Sequence, residues 1–178
     1  QVIPLAIKFE DDNSRALALR LLGLAQMYQG QNEQAVLHLT QSINVANVIK
    51  SPHLISVSNR AMGVFYELII DYDNAMKYYI EALKYAKLSE QPDDLAMVYN
   101  NLGNVLNAQG DYLEAANYFK ESMKIHKSVN NIEMEMNATT GLGISYLKDQ
   151  QTELARTTLE SVLANDANIS GFTYSEAT

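Results

Sequence analysis

Four glycines stand 40 residues apart in this chain, at Gly23, Gly63, Gly103 and Gly143. Four alanines keep the same interval and follow each glycine by twelve residues, at Ala35, Ala75, Ala115 and Ala155. Two sets of small residues in one strict register indicate that a single unit is written four times. A period between about 20 and 50 residues is typical of solenoids and other repeat arrays. The sequence therefore predicts an extended repeat surface rather than a domain built around one buried pocket.

Each repeat is predicted to form two helices. In the third repeat, Pro92 and two aspartates suit a first helical turn, and apolar residues then recur at helical spacing. Gly110 suits the left-handed residue that ends a helix, and Asp111 can cap the helix that follows. The four repeats are placed at about 12–50, 51–90, 91–130 and 131–166. The predicted helix pairs are 12–29 with 32–49, 52–69 with 72–88, 93–109 with 111–128, and 132–148 with 151–165.

The small residues indicate where the paired helices approach each other. Antiparallel helices lie about 8–10 Å apart, and only small side chains at the crossing permit the shorter distance. We therefore expect each glycine of a first helix to face the alanine of the second helix. Larger residues that follow each alanine by four positions fill the same layer, at Leu39, Tyr79, Phe119 and Leu159.

Charge and composition argue against several classes of function. The formal net charge of −8 disfavours nucleic acid or an anionic membrane as the main partner, because both require a basic surface. The absence of cysteine excludes disulfides and thiolate metal sites, while the compartment stays open, with the cytoplasm slightly favoured. The uninterrupted apolar stretches are too short for membrane insertion.

The repeat pattern resembles the tetratricopeptide repeat (TPR), in a long variety with a period of 40 instead of the usual 34. Two copies carry the resemblance most fully: Tyr99-Asn100-Asn101-Leu102-Gly103 with Ala115 and Phe119, and Met62-Gly63 with Tyr66, Ala75 and Tyr79. It covers about residues 14–165. The resemblance implies an all-α fold, a right-handed α-solenoid of four antiparallel helix pairs whose first helices line the concave side of a superhelix.

Both ends of the chain are predicted to hold partial repeats. Residues 1–10 align with the ends of the later second helices, and residues 167–178 fall where a further repeat would start. We therefore interpret residues 1–178 as a single array from a longer protein. Self-association through the cut ends is expected from the missing neighbours.

No catalytic, cofactor or metal site is predicted. The three histidines share no register and no spacing suited to a metal, and they are interpreted as residues of the surface or of the groove rim. The acidic pair Asp93-Asp94 precedes a first helix and is interpreted as favourable charge at a helix start. The chain is therefore not expected to be an enzyme.

One stripe of the first helices mixes polar and apolar residues where a core stripe would be apolar throughout. Its positions lie three before, one after and four after each repeat glycine, so they share a helical face. We predict a peptide-binding groove from these positions and their neighbours Asn101 and Asn137. The predicted groove residues are Arg20, Leu24, Met27, Arg60, Val64, Glu67, Asn100, Asn101, Asn104, Asn107, Asn137 and Thr140.

The asparagines of the third repeat suggest how a peptide would be held. Asparagine is a poor helix former, but its amide both donates and accepts hydrogen bonds, as an extended peptide backbone requires. The TPR resemblance implies this role for the positions of Asn101 and Asn104. The alternative is a solvated helix face on which asparagine is tolerated. Some tetratricopeptide domains bind the C-terminal carboxylate of a peptide in a clamp of lysines and arginines. Such a clamp is not expected here, because Val64, Asn137 and Gly141 occupy the positions that would accompany Arg60.

The sequence thus favours a protein-interaction module that binds a peptide or helix of a partner protein. The alternative is a regulatory or sensory domain of a larger signalling enzyme or transcription regulator.

Overall fold

The computed structural model describes the backbone of residues 11–175 and the side chains of residues 11–164. All regular structure in this range is helical, which confirms the all-α prediction. The helices are α1 Asp12–Tyr28, α2 Asn32–Val48, α3 Pro52–Leu68, α4 Tyr72–Ala86, α5 Pro92–Gln109, α6 Tyr112–Ser128, α7 Ile132–Lys148 and α8 Thr152–Ser175.

The first seven helices begin and end within two residues of the predicted positions. Helix α8 differs, because it was expected to end at 165 and continues to Ser175. No glycine or proline interrupts the sequence between Thr152 and Ser170, so nothing forces a turn there. The start of a further repeat, predicted at 167–178, is therefore helix α8 as far as Ser175. The partial helix predicted at 1–10 lies outside the described residues.

The turns repeat twice as often as the glycines. One residue in the left-handed region stands at every twentieth position, at Gly30, Lys50, Ile70, Glu90, Gly110, Asn130 and Gln150. After α1 the amide N–H of Gly30 donates to the carbonyl oxygen of Met27 at 3.0 Å, and that of Gln31 donates to Gln26 at 2.9 Å. This pair of hydrogen bonds satisfies carbonyl groups that a helix end leaves without partners. Helix plus turn therefore occupies 20 residues, and two such units make one repeat.

The residue after the left-handed position often caps the next helix. The side chains of Ser51, Asp71 and Asn131 accept hydrogen bonds from amide N–H groups in the following first turn. Asp111 was expected to do the same, but its side chain makes no such bond. At these three capped turns only three residues separate the consecutive helices, which brings the helices side by side.

By its internal contacts the chain divides into two compact units, Gln1–Asn101 and Leu102–Thr178, with the division inside α5. In the first unit, α1 packs against α2 and α3, α2 against α3, and α3 against α4. One apolar cluster there is centred on Leu39, Met62 and Phe65. In the second unit, α7 packs against α6 and α8. One continuous array over 1–178 stays a prediction.

Each repeat glycine faces the large residue of the second helix, and at Gly23 the backbone oxygen of the expected alanine, Ala35, would also lie 3.2 Å from an added Cβ atom. A Cβ atom at each glycine would lie 2.4–2.8 Å from the facing side chain, well inside van der Waals contact. The four facing pairs are Gly23 with Leu39, Gly63 with Tyr79, Gly103 with Phe119, and Gly143 with Leu159. Sequence periodicity could not tell which of the two residues is the nearer neighbour of the glycine, because the alanine and the residue four positions later share a helical face.

Replacement of Gly103 by alanine tests this contact. The added methyl would lie 2.8 Å from the Phe119 ring, which Gly141 encloses from a second side. We expect Gly103→Ala to lower the free energy of unfolding by about 1–2 kcal/mol, although alanine is the better helix former. Urea unfolding measures the change. In the double variant Gly103→Ala/Phe119→Leu, part of this loss should be recovered relative to the sum of the single changes. Strict additivity would show that the two residues do not oppose each other.

Ile70 provides a test of the turns. This β-branched residue has a φ of 64° and is 72% exposed, so its conformation is unfavourable and its side chain gains little from packing. Asparagine tolerates the left-handed region and already occupies the equivalent position 130. Ile70→Asn should therefore raise the free energy of unfolding by about 0.5–1 kcal/mol. Val48→Asn, which also removes an exposed apolar side chain but lies within a helix, is the control. Equal effects of the two substitutions would contradict the prediction.

Candidate functional site

Besides Met27, seven of the predicted groove residues lie in the first unit, on α1, α3 and the first part of α5. All are half-buried, so each side chain is partly enclosed and partly open to solvent. We refer to them as the first-helix face, which consists of Arg20, Leu24, Arg60, Val64, Glu67, Asn100 and Asn101. Leu24 and Val64 pack against the apolar cluster of this unit and give the face an apolar edge.

Arg20 and Arg60 occupy equivalent positions of the first two repeats. Burial lowers the pKa of Arg60, and the positive charge of Arg20 lowers it further. Burial also lowers the pKa of Arg20, while the nearby carboxylate of Asp94 raises the pKa of both arginines. Both guanidinium groups nevertheless stay protonated, because arginine does not lose its proton in folded proteins. The face therefore contains two like charges that repel each other in a partly desolvated environment.

Neither arginine is fully satisfied by hydrogen bonds. The Nε atoms of Arg20 and Arg60 are buried, and they have no hydrogen-bond partner among the described residues. A buried donor that lacks a partner costs about 1–3 kcal/mol. Folding thus leaves donor capacity at this point of the face that the described part of the chain does not use.

The carboxylate beside the arginines belongs to Asp94. It is only 8% exposed, and its Oδ2 atom lies 2.5 Å from Nδ1 of His53. From the sequence, Asp94 was interpreted as favourable charge at a helix start, and its place beside the arginines was missed. Asp94 and His53 stand 41 residues apart on different helices, and no pattern in the sequence connects them.

Tyr79 connects the core to the other side of the face. Its ring is completely buried against Gly63, while its hydroxyl donates to Oε2 of Glu67 at 2.7 Å and accepts from Nδ2 of Asn101 at 2.9 Å. Burial and the negative charge of Glu67 raise the pKa of Tyr79. Tyr79 was predicted only as a core residue. The available signal was its hydroxyl, which the other large residues at this position of the repeat lack.

Glu67 is held in place by this hydrogen bond. Burial raises the pKa of its carboxyl group, and the bond from Tyr79 partly offsets that effect. The second oxygen of the carboxylate is left for other contacts. The carboxylate of Glu67 therefore has a hydrogen-bond partner within the protein, whereas the buried Nε atoms of the two arginines have none among the described residues.

The remaining predicted residues lie in the second unit or in the core. Asn104 and Asn137 are exposed, Asn107 is half-buried, and the Thr140 hydroxyl donates to the carbonyl oxygen of Met136 at 2.8 Å.

Met27 corrects the predicted groove. Its side chain is 2% exposed and belongs to the apolar cluster with Leu39 and Phe65. It cannot offer apolar contact to a ligand. The helical stripe used for the prediction was too wide at this position, where the residue four after the glycine turns towards the core.

The described residues show little basis for other kinds of site. Between residues 11 and 164, no three histidine or acidic side chains are grouped so as to hold a metal ion. Within the described part of the chain, every helix is too short or too polar to cross a bilayer.

A family model described as tetratricopeptide repeat matches residues 54–128 and, in a second position, residues 94–168. Together the two matches span more than half of the chain. No curated protein matches the sequence.

Solved structures of at least three other proteins share this fold. BtubC (BKLC) from P. vanneervenii aligns with a TM-score of 0.81 at 16% identity, covering 90% of this chain and 66% of that one. Nearly identical TPR-like repeats of a kinesin-light-chain-like protein from Podosopora anserina align with a TM-score of 0.74 at 19% identity. This alignment covers 94% of this chain and 83% of that one. The third structure is a signal transduction ATPase with numerous domains and a tetratricopeptide repeat sensor, from Pyrococcus horikoshii. It aligns with a TM-score of 0.79 at 16% identity, covering 92% of this chain and 26% of that one. The chain thus spans less than two thirds of the length of the first and third proteins. The likeness to these structures confirms the predicted helical-repeat solenoid.

The raised pKa of Glu67 predicts how one substitution responds to pH. The folded state binds a proton at Glu67 more tightly than the unfolded chain does, so the wild type loses stability as the pH rises from about 4 through the raised pKa. The Glu67→Gln variant has no group that titrates at this position, so it does not lose stability in this way. Its amide oxygen can still accept the hydrogen bond from the Tyr79 hydroxyl. We expect the free energy of unfolding of Glu67→Gln, relative to wild type, to increase between pH 4 and pH 7. Urea unfolding at both pH values measures it, with the exposed Glu33→Gln as control. A difference independent of pH would contradict the assignment.

Proposed function

The chain belongs to the tetratricopeptide-repeat family, and we propose that it is a protein-interaction module that binds an extended segment of a partner protein along the first-helix face. The observation that carries this proposal is the set of half-buried polar side chains on α1, α3 and α5. A face that served stability alone would be apolar where buried and simply solvated where open.

The chemistry of the face suits an extended peptide. A peptide backbone presents both donors and acceptors, and an asparagine amide can pair with both. Asn101 uses its Nδ2 atom for Tyr79, which leaves its amide oxygen available as an acceptor. Leu24 and Val64 add apolar contact for the side chains of the ligand.

The contacts beneath the face support preorganised binding. Asn101 is tied to the Tyr79 hydroxyl, and the Tyr79 ring is fixed by the close approach of Gly63. A side chain that is already held in position loses less conformational entropy when a ligand binds. The face therefore needs little rearrangement to receive a peptide.

A second candidate is a regulatory or sensory domain in a larger signalling enzyme or transcription regulator. Its support is the helical-repeat fold, which the Pyrococcus horikoshii protein uses as a sensor. The complete coding sequence separates the two candidates, because the regulatory role requires a catalytic or DNA-binding segment in the same polypeptide.

Peptides selected from a random display library against the whole chain would test the main proposal. A selected peptide should bind Asn100→Ala about 3- to 10-fold more weakly than wild type, since one lost hydrogen bond is worth about 0.5–1.5 kcal/mol. Asn44→Ala is the matched control, because it makes the same change on an exposed position of α2. Titration calorimetry measures both affinities, and circular dichroism verifies that helix content is kept.

Two results would contradict the proposed binding face. One is an unchanged affinity of Asn100→Ala together with a loss on substitution of the exposed second-helix residues Lys77 or Lys84. The other is a failure of the whole chain to select any peptide with reproducible affinity.

A further inference from the structure

We propose that the turn between α3 and α4 carries a second docking surface, which binds an apolar surface of a partner protein that is bordered by lysine or arginine. The docking surface consists of Tyr28, Leu68, Ile69 and Ile70, and we refer to it as the turn ridge. The inference goes beyond the proposed function, because no residue of the first-helix face belongs to the turn ridge.

The turn ridge exposes large apolar side chains side by side. Leu68, Ile69 and Ile70 are consecutive and all exposed, and Ile70 is the most exposed of them at 72%. Tyr28 ends α1 as Leu68 ends α3, and it is 76% exposed. Because α1 and α3 run in the same direction and pack against each other, their last residues are neighbours. A group of exposed apolar side chains, unlike a single one, is typical of an interaction site.

The backbone of Ile70 is a second and independent observation. Its φ of 64° lies in the left-handed region, which is unfavourable for a β-branched residue. The turns after the other first helices have Gly30, Gly110 and Gln150 at this position. A chain that served stability alone would have glycine or asparagine here as well. Unfavourable backbone conformations are concentrated at binding and switch regions, so the isoleucine favours a role in contact with a partner.

The charges around the turn ridge indicate which partner it fits. No lysine or arginine occurs in residues 21–49 or 61–76, the two segments that contain the turns after α1 and α3. The same segments contain the exposed carboxylates of Glu33 and Asp73 and the capping carboxylate of Asp71. Complementary charge speeds association, and like charges brought together oppose it. The turn ridge therefore favours apolar residues that have basic neighbours.

The same carboxylates disfavour two other occupants. A second copy of the chain would bring its own acidic residues to the turn ridge, and the net charge of each copy is −8. An anionic membrane surface carries negative charge as well and would be repelled in the same way. A partner protein with a basic border around its apolar surface meets neither difficulty.

The first experiment uses a synthetic amphipathic helix with leucine on one face and lysine elsewhere, and a counterpart with glutamate in place of lysine. Wild type should bind the lysine peptide at least about tenfold more tightly than the glutamate peptide. Ile70→Asn should weaken binding of the lysine peptide about tenfold, which is the scale of burying one aliphatic side chain. Titration calorimetry measures the affinities. Because Ile70→Asn is expected to be more stable than wild type, unfolding cannot explain the loss.

Val48→Asn is the matched control for this substitution. It also removes an exposed aliphatic side chain, but Val48 ends α2 and so lies at the other end of the first helix pair. Its affinity for the lysine peptide should differ less than about twofold from that of wild type. A library-selected peptide whose binding depends on Asn100 should bind Ile70→Asn and wild type alike. A loss there would show that the turn ridge is part of the first-helix face and would overturn a second surface.

The second experiment tests the charge. Glu33→Gln/Asp73→Asn should weaken binding of the lysine peptide about threefold or more at low salt, and the difference should shrink as salt is added. Glu90→Gln/Glu121→Gln removes the same total charge from exposed positions outside the turn ridge and should have a smaller effect. Equal losses in the two double variants would show an effect of net charge alone and would overturn the proposed partner.

Four further results would contradict the proposal. Equal binding of the lysine peptide by Ile70→Asn and wild type, or an equal loss in Val48→Asn, would refute the turn ridge. Absence of binding of the lysine peptide to wild type would refute the basic partner. Self-association in sedimentation velocity that Ile70→Asn abolishes would identify a second copy as the occupant. Sedimentation with phosphatidylcholine vesicles that depends on Ile70 would identify a lipid surface instead.

Discussion

The close approach of each repeat glycine to a large side chain of the facing helix is the contact on which this structure depends. At all four glycines there is no room for even one further methyl group beside the facing leucine, tyrosine or phenylalanine. A glycine inside a helix costs about 1 kcal/mol in helix propensity, so its presence requires a gain in packing. That gain is the complete burial of Leu39, Tyr79 and Phe119. The 40-residue period is therefore the period of this contact.

The same contact builds the candidate site in the second repeat. Because Gly63 admits the Tyr79 ring, the hydroxyl of Tyr79 reaches the polar side of α3 and joins Glu67 to Asn101. In the equivalent places Leu39, Phe119 and Leu159 have no polar atom to contribute. One residue thus belongs both to the core and to the site. A substitution at Gly63 would displace the Tyr79 ring and with it Glu67 and Asn101, which we expect to contact a ligand.

The sequence predicted the features that recur and missed those that do not. Helix ends were predicted from residues that suit turns and recur with the repeat. The end of α8 was missed because no glycine or proline precedes Gly171 in this helix. The burial of Met27 was missed because its position borders both the polar stripe and the core, and helical periodicity alone does not resolve the difference. The contact between His53 and Asp94 joins two unrelated positions of different repeats, and only the packing of the helices brings them together.

The two kinds of charge on the first-helix face differ in how well the protein satisfies them. Arg60 and Glu67 lie two turns apart on α3, a separation of about 10 Å along the helix axis. The carboxylate of Glu67 receives a short hydrogen bond from Tyr79, whereas a buried donor of Arg60 has no partner among the described residues. A cation from a ligand would compete with the hydrogen bond that Glu67 accepts from Tyr79. An anion would supply the hydrogen-bond acceptor that the buried Nε atom of Arg60 lacks among the described residues. The face thus joins an acidic group that the protein satisfies to basic groups that it satisfies less well, although the chain as a whole is acidic.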